Sequence, residues 1–93
     1  MVTAIVMIKT DQDAIVDAAQ QIVAIDGVRE VYSVTGNWDL VAIVEGRRFD
    51  DLSQLIPDRI AKVPGLRDTE TLVAFRAHSE ADLEAGFALG LDD

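Results

Sequence analysis

The chain contains no cysteine and a single histidine, His78, among its 93 residues. The absence of cysteine excludes disulfides, zinc–thiolate sites and thiol nucleophiles. One histidine without cysteine leaves too few nitrogen and sulfur donors for a zinc site within one chain. We therefore expect no metal and no cofactor, and we interpret His78 as a surface residue.

Aromatic and basic side chains are also scarce. Aromatic residues make up 5% of the chain, so aliphatic side chains have to fill its core. Eight Lys and Arg are outnumbered by seventeen Asp and Glu, which gives a net charge of −9. Because such a chain repels phosphate backbones, we expect no direct binding to nucleic acid.

Long hydrophobic runs are missing as well. No apolar run approaches the roughly 18 residues of a membrane span, and the N-terminus lacks the basic region of a signal peptide. We expect a cytoplasmic protein without membrane contact. The length predicts one domain, and a monomer of this size is marginally stable, so oligomerisation is a plausible source of further burial.

A weak internal repeat organises the chain. Residues 25–31 (Ile-Asp-Gly-Val-Arg-Glu-Val) resemble residues 63–69 (Val-Pro-Gly-Leu-Arg-Asp-Thr), and Gly27 and Gly65 occupy matching positions. Each glycine follows a helical apolar pattern and precedes a strand-like run. This is typical of a helix that ends in the left-handed conformation.

Apolar spacing predicts two helices and four strands. The helical faces consist of Ile15, Ala18, Ala19, Ile22 and Val23, and of Leu52, Leu55, Ile56, Ile60 and Val63. Strand-like runs cover residues 2–8, 28–35, 40–44 and 69–76. The order β-α-β-β-α-β predicts an α+β, ferredoxin-like fold with both helices on one face of a four-stranded antiparallel sheet. Pro57 falls inside the second helix, which it should kink.

Residues 4–8 and 40–44 are apolar on both faces of their predicted strands. In an antiparallel sheet with one solvent-exposed face, apolar and polar residues would alternate along each strand. We infer that the face away from the helices packs against a second copy, as in a dimeric α+β barrel. Beyond the domain of residues 1–78, residues 79–93 form a C-terminal tail in which Ser79 can cap a short helix that Gly86 and Gly90 weaken.

The most unusual segment is the predicted hairpin tip at residues 34–39, Val-Thr-Gly-Asn-Trp-Asp. Gly36 and Asn37 suit a tight turn, but a turn requires neither Trp38 nor Asp39. Turn amides can receive a carboxylate and Asp39 can pair with an ammonium group, which suits a zwitterionic amino acid. Equally, Asp39 can accept hydrogen bonds from the turn amides while Trp38 packs at an interface.

Few other residues suggest chemistry. Thr69 and Thr71 share one face of the last predicted strand and can line a ligand pocket, although threonine is also simply a good strand former. Acids at predicted helix starts, namely Asp11, Asp13, Asp50 and Asp51, are explained by capping. No phosphate-binding glycine loop or Ser/His/Asp arrangement is present. We therefore predict a protein that is not an enzyme.

Three segments resemble the effector-binding C-terminal domain of the leucine-responsive/AsnC (Lrp/AsnC) regulators, the RAM domain (regulation of amino-acid metabolism). Residues 27–32, 34–39 and 63–71 are similar to the G-V-x-x-x-y, G-x-x-D and l-P-G-V-x-x-T-x-T signatures, and the resemblance covers residues 2–77. It implies a small effector, often an amino acid, bound between dimers. The ligand-facing positions would be Gly36, Asn37, Trp38, Asp39, Thr69 and Thr71.

The same resemblance implies dimers that pair through their sheets and assemble into rings, as an octamer or decamer. Family regulators carry an N-terminal helix-turn-helix domain, whereas the first predicted strand begins here at residue 2. We therefore predict a stand-alone sensor of amino-acid metabolism or transcription that can also join full-length Lrp/AsnC regulators. Trp38 occupies a variable family position and is expected to shape effector choice.

Two other functions stay open. One is a small dimeric α+β-barrel enzyme of the antibiotic-biosynthesis monooxygenase type, for which Asn37, Trp38 and His78 would be the reactive set. Nothing in their spacing favours it, and no plausible catalytic histidine or basic pair lies in the predicted barrel. The other is an ACT-type amino-acid-binding module, which shares the order of elements but matches the three segments less well.

Overall fold

The computed structural model describes residues 1–79. Its elements follow the predicted order, namely β1 (Val2–Thr10), α1 (Ile15–Val23), β2 (Val28–Ser33), β3 (Leu40–Gly46), α2 (Phe49–Leu55) and β4 (Leu66–Ala74). The strands form one antiparallel sheet in the order β2-β3-β1-β4. This confirms the ferredoxin-like α+β fold. The predicted tail helix lies outside the described residues, apart from Ser79.

Alternate residues of the two central strands form the core. Strands β1 and β3 pair with each other, and their inward side chains are fully buried beneath the helices: Ala4, Val6, Ile8, Leu40, Ala42 and Val44. The helical side contributes Ala18, Ile22, Leu52, Ile60 and Val63. The predicted helical faces are therefore confirmed, except that Val23 at the end of α1 is about half exposed.

Pro57 lies where the second helix changes from α-helical to π-helical, while the predicted kink stays a prediction. Helix α2 ends at Leu55, and residues Ile56–Ile60 continue as a π-helix. The amide of Ala61 donates to the carbonyl of Ile56 at 2.9 Å, five residues back. Proline lacks the amide hydrogen that an α-helix needs, and a π-helical turn accommodates this loss without ending the element.

Of the four predicted capping acids, Asp51 alone makes a capping hydrogen bond among the described residues. Asp11 precedes a 3-10 turn, Gln12–Ala14, and makes no side-chain hydrogen bond to it. Helix α2 begins at Phe49, and Asp51, not Asp50, accepts the amide of Arg48 at 3.0 Å. The acids still lie near helix starts, where their charge favours the helix dipole.

The repeat glycines end the two helical segments in the left-handed conformation, as predicted. Gly65 has φ of 90°, and its carbonyl accepts the amide of Asp11 at 2.8 Å. Gly27 has φ of 100°, and its carbonyl accepts the amide of Glu45 at 2.8 Å. In each half of the chain the glycine thus ties the end of a helix to the end of a strand.

The sheet face away from the helices, called the open sheet face, has an apolar centre with charged side chains around it. The apolar side chains come from all four strands, namely Ile5, Met7, Tyr32, Val41, Ile43 and Leu72, and the pairing also places Glu30 beside Ile43 and Glu70 beside Met7. No described residue packs a second layer on it, and Tyr32 and Leu72 are about half exposed. The structure therefore has the apolar outer face that the doubly apolar strands predicted.

Candidate functional site

One end of the sheet gathers the hairpin tip, the end of β1 and the start of β4. The tip between β2 and β3 lies beside β1 because the amide of Asp39 donates to the carbonyl of Ile8 at 2.9 Å. On the other side of β1, Lys9 pairs with Asp68 of β4. Residues far apart in the sequence therefore meet at this end.

Asp39 fixes the tip to β1 through its side chain as well. Its Oδ2 accepts the backbone amide of Thr10 at 2.9 Å, and its carbonyl accepts the amide of Val34 at 3.0 Å. Gly36 has φ of 106°, whereas Asn37 does not adopt a positive φ. Only Gly36 therefore has to be left-handed in this turn. The side-chain amide of Asn37 remains available for contacts with a ligand.

A groove of about 640 Å³, called the hairpin groove, opens at this end of the sheet. It is lined by residues of the tip, of β1 and its 3-10 turn, and of β4: Lys9, Thr10, Gln12, Gly36, Asn37, Asp39, Arg67 and Asp68. Two side chains carry positive charge and two carry negative charge. Such a mixed lining matches a ligand that bears both charges.

Both carboxylates of the hairpin groove are oriented by backbone amides. Asp39 is held by Thr10, and Asp68 Oδ1 accepts the amide of Thr69 at 2.9 Å. Within residues 1–79, the second oxygen of each carboxylate forms no hydrogen bond. Arg67 is only loosely engaged, since its Nε lies 3.7 Å from an exposed oxygen of Asp11. The hairpin groove therefore presents two carboxylates that backbone amides hold in place, Asp39 and Asp68. It also presents two cationic side chains that are free to adjust, Lys9 and Arg67.

The hydroxyl of Thr10 is buried at this end of the sheet. The residue is 3% exposed, and its Oγ1 has no hydrogen-bond partner among the described residues. A buried hydroxyl without a partner is destabilising. The sequence pattern did not reveal Lys9, Thr10, Gln12, Arg67 or Asp68 as groove residues. The available signal was the topology, which places the end of β1 beside the start of β4 and the hairpin tip.

The predicted ligand positions separate into two groups. Gly36, Asn37 and Asp39 line the hairpin groove. Trp38 is partly buried and does not belong to the described lining. Thr69 and Thr71 pair with Ile8 and Val6, so both lie on the helix side of β4.

Within one chain, the threonines therefore do not line the hairpin groove. Thr71 instead lines a separate groove against α2. Ligand contact by all six predicted residues stays a prediction.

The residues of the alternative oxygenase set do not meet within one chain. Asn37 lies at the end of the sheet near Ile8, whereas His78 follows the end of β4, where Ala74 pairs with Thr3. The five residue steps along β1 from Thr3 to Ile8 span about 17 Å. His78 is exposed, and residues 1–79 contain no group of three potential metal-binding side chains.

Within residues 1–79, no helix has the length and apolarity needed to cross a bilayer.

The βαββαβ chain with its hairpin groove matches one protein family along most of its length. Residues 3–83 match the Lrp/AsnC ligand binding domain. The chain belongs to this family. A relative, PH1916 of Pyrococcus horikoshii, described as an HTH-type transcriptional regulator, is 33% identical over 76 residues. The match covers 78% of this chain and 51% of PH1916.

Solved structures share the fold. TTHA0845 from Thermus thermophilus superposes with a TM-score of 0.81 at 38% identity, over 86% of this chain and 100% of that chain. AsnC of E. coli superposes with a TM-score of 0.76 at 23% identity, over 82% of this chain and 52% of that one. The chain thus spans about half the length of the curated regulators that it matches.

Proposed function

We propose that this chain is a non-enzymatic effector-binding domain that recognises a zwitterionic small molecule, an amino acid in the first place, at the hairpin groove. The observation that carries the proposal is the pair of oriented carboxylates, Asp39 and Asp68, beside Lys9 and Arg67. An ammonium group would bind the free carboxylate oxygens, and a carboxylate would bind a cation or the tip amides. Trp38, Thr69 and Thr71 would add contacts where a neighbouring subunit completes the site.

The names of related proteins support this class of ligand and role. NMB0573 of Neisseria meningitidis, a transcriptional regulator of the same fold at 17% identity, was solved as a complex with L-Met. A homocitrate synthase of Sulfolobus acidocaldarius contains a matching region that is 32% identical over 71 residues and makes up 15% of the enzyme. A domain that occurs both in HTH-type transcriptional regulators and in an enzyme is more consistent with effector sensing than with DNA recognition.

The proposal includes assembly of the cytoplasmic protein through the open sheet face. Ile5, Met7, Val41 and Ile43 would be buried between the sheets of two copies, forming a dimeric α+β barrel. Dimers would then assemble into an octamer or decamer that places one hairpin groove near the next, and full-length Lrp/AsnC regulators could join such rings. The net charge of −9 makes direct DNA binding by this chain unfavourable.

Ligand binding is tested by a thermal-shift screen of the full chain against the twenty amino acids. A ligand at 100 times its dissociation constant should add about 2.7 kcal/mol of stability. Each amino acid that stabilises the protein is then compared with its N-acetyl and carboxamide derivatives, which lack one charge each. Loss of the shift with both derivatives supports recognition of the zwitterion. Stabilisation by both derivatives, or by no amino acid, would contradict the proposal.

Assembly is tested separately by light scattering on Ile43→Lys and on a control, Val16→Lys, which adds the same charge on the exposed side of α1. We expect the wild type and the control to be larger than a dimer at micromolar concentration. Ile43→Lys should shift to a smaller species because a lysine in the sheet-to-sheet contact buries an unpaired charge. A wild-type mass equal to that of a monomer would rule out this assembly.

A further inference from the structure

A second groove lies on the helix side of the sheet, where β4 is only partly covered. This α2–β4 groove has a volume of about 190 Å³ and is lined mainly by apolar side chains, namely Phe49, Leu52, Ile56, Pro57 and Val73, with the hydroxyl residues Ser53 and Thr71 beside them. It is separate from both the hairpin groove and the open sheet face. No described residue fills it.

The groove leaves large apolar side chains in contact with solvent. Phe49 on α2 is 53% exposed, and Val73 on β4 is 47% exposed. They lie on opposite walls of one concave surface, unlike isolated surface apolar residues. Such an arrangement is typical of a surface that binds another segment.

The C-terminal tail of the chain has the composition of a matching occupant. Residues 80–93 contain Leu83, Phe87 and Leu91 at spacings of four, the spacing typical of one face of a helix. The same fourteen residues carry five acidic side chains and no basic one. At the α2 end of the groove, Arg47 and Arg48 are exposed and form no ion pair within residues 1–79.

The end of β4 lies near one end of this groove. Strand β4 ends at Ala74, opposite Thr3, and β3 ends at Gly46, opposite Val2, just before α2 begins. The end of β4 and the start of α2 therefore lie at the same end of the sheet. The five residues 75–79 can extend over about 17 Å, which is enough for the tail to turn back along the groove.

We propose that residues 80–93 dock into the α2–β4 groove of their own chain. Leu83 and Phe87 would cover Phe49 and Val73, and the acidic side chains would lie near Arg47 and Arg48. Docking would remove the apolar walls from water and complete the helix layer over the edge strand β4. The domain would then extend beyond the last strand.

Disulfide trapping tests the docking directly because the chain has no cysteine of its own. The pair Val73→Cys/Ala88→Cys probes the groove, and Gln54→Cys/Ala88→Cys is the control. Gln54 is exposed on α2, one wall of the groove, but it lies outside the lining of the groove and away from the open sheet face. We expect the groove pair to form an intrachain disulfide at least ten times faster than the control under mild oxidation.

A third substitution shows whether the tail itself directs the reaction. Phe87→Ser should abolish the rate advantage of the groove pair, whereas Leu89→Ser, on the other side of a helical tail, should preserve it. Circular dichroism of each reduced protein controls for the fold.

Equal rates for the two pairs, or a faster reaction of the Gln54→Cys pair, would overturn the proposal. A groove pair that links two chains, seen as a covalent dimer on a non-reducing gel, would overturn docking within one chain. Loss of the rate advantage with Leu89→Ser as much as with Phe87→Ser would show that the tail does not dock through one face.

Discussion

The carboxylate of Asp39 accepts a hydrogen bond from the backbone amide of Thr10 at 2.9 Å, although the two residues are 29 positions apart. The bond joins the hairpin tip to the end of the central strand β1, and the second carboxylate oxygen has no partner among residues 1–79. Asp39 therefore braces the fold, and in our proposal it also binds the effector. The two roles can be separated by substitution.

Asp39→Asn and Asp39→Ala should differ in stability but not in effector binding. Asparagine can still accept the amide of Thr10, so Asp39→Asn should lose less than about 1 kcal/mol in urea denaturation. Asp39→Ala leaves that part-buried amide without its acceptor and should lose about 1–3 kcal/mol. Both variants should still fold because Gly36 and the buried β3 residues remain.

Calorimetric titration of the effector should show a ten- to hundredfold weaker affinity for both Asp39 variants. This corresponds to the roughly 1.5–3 kcal/mol of a charge-assisted hydrogen bond. Unchanged affinity in Asp39→Asn would mean that the aspartate only braces the hairpin. If the Asp39→Ala variant does not fold, Asp39 contributes even more to the stability of the fold than we expect.

In the absence of ligand, Thr10→Val should be more stable than the wild type. The substitution replaces a buried hydroxyl that has no described partner with a methyl group of similar size. Removing the unmet hydrogen-bonding group should raise the free energy of unfolding by about 1–2 kcal/mol in urea denaturation. Thr69→Val, at an exposed strand position, is the control and should stay within about 0.5 kcal/mol of the wild type. A clear loss of stability in Thr10→Val would show that the hydroxyl has a partner in solution.

Gly65→Ala should be more destabilising than Gly36→Ala, although both glycines have positive φ. A Cβ at Gly65 would lie 2.5 Å from the Cβ of Ala14, whereas one at Gly36 would meet nothing within 4 Å. Backbone strain alone costs about 1–2 kcal/mol, and overpacking at Gly65 adds about 1–3 kcal/mol. Ala14→Gly should recover part of the loss in Gly65→Ala. Equal losses at the two glycines in urea denaturation would be inconsistent with this packing.

Tyr32 should ionise at a higher pH than an ordinary tyrosine. Its hydroxyl donates to Glu30, and this hydrogen bond, with a smaller contribution from burial, raises the pKa above about 10. The protonated phenol is the form that this contact favours. Its contribution to stability is thus complete below the unfolded pKa near 10 and is lost as pH rises through the higher folded value.

Tyr32 is the only tyrosine, so a near-ultraviolet absorbance titration reports it alone. Glu30→Gln removes the negative charge and should move the midpoint down towards that of the unfolded chain in denaturant. A midpoint that is the same in wild type and Glu30→Gln would show that the contact is absent in solution.

The regular elements could be predicted because local patterns dictate them. Apolar spacing located α1 and α2, the strand-like runs located the four strands, and Gly27 and Gly65 marked the helix ends. Strand limits were less accurate, since β1 continues to Thr10 and β4 begins at Leu66. These end residues are polar or follow a turn, so pairing with a neighbouring strand, and not local pattern, decides their conformation.

By itself the sequence determined the order of elements, the doubly apolar central strands, and the hairpin tip with Gly36 and Asp39. Only the tertiary structure decided which side chains meet there. It brought Lys9, Thr10 and Asp68 to the tip, and it placed Thr69 and Thr71 on the other side of β4. Side-chain direction depends on the register between β1 and β4, where the irregularity between Lys9 and Thr10 shifts the pairing. Because a shift of one residue moves a side chain to the opposite face, register, and with it the lining of each groove, is a property of the folded sheet.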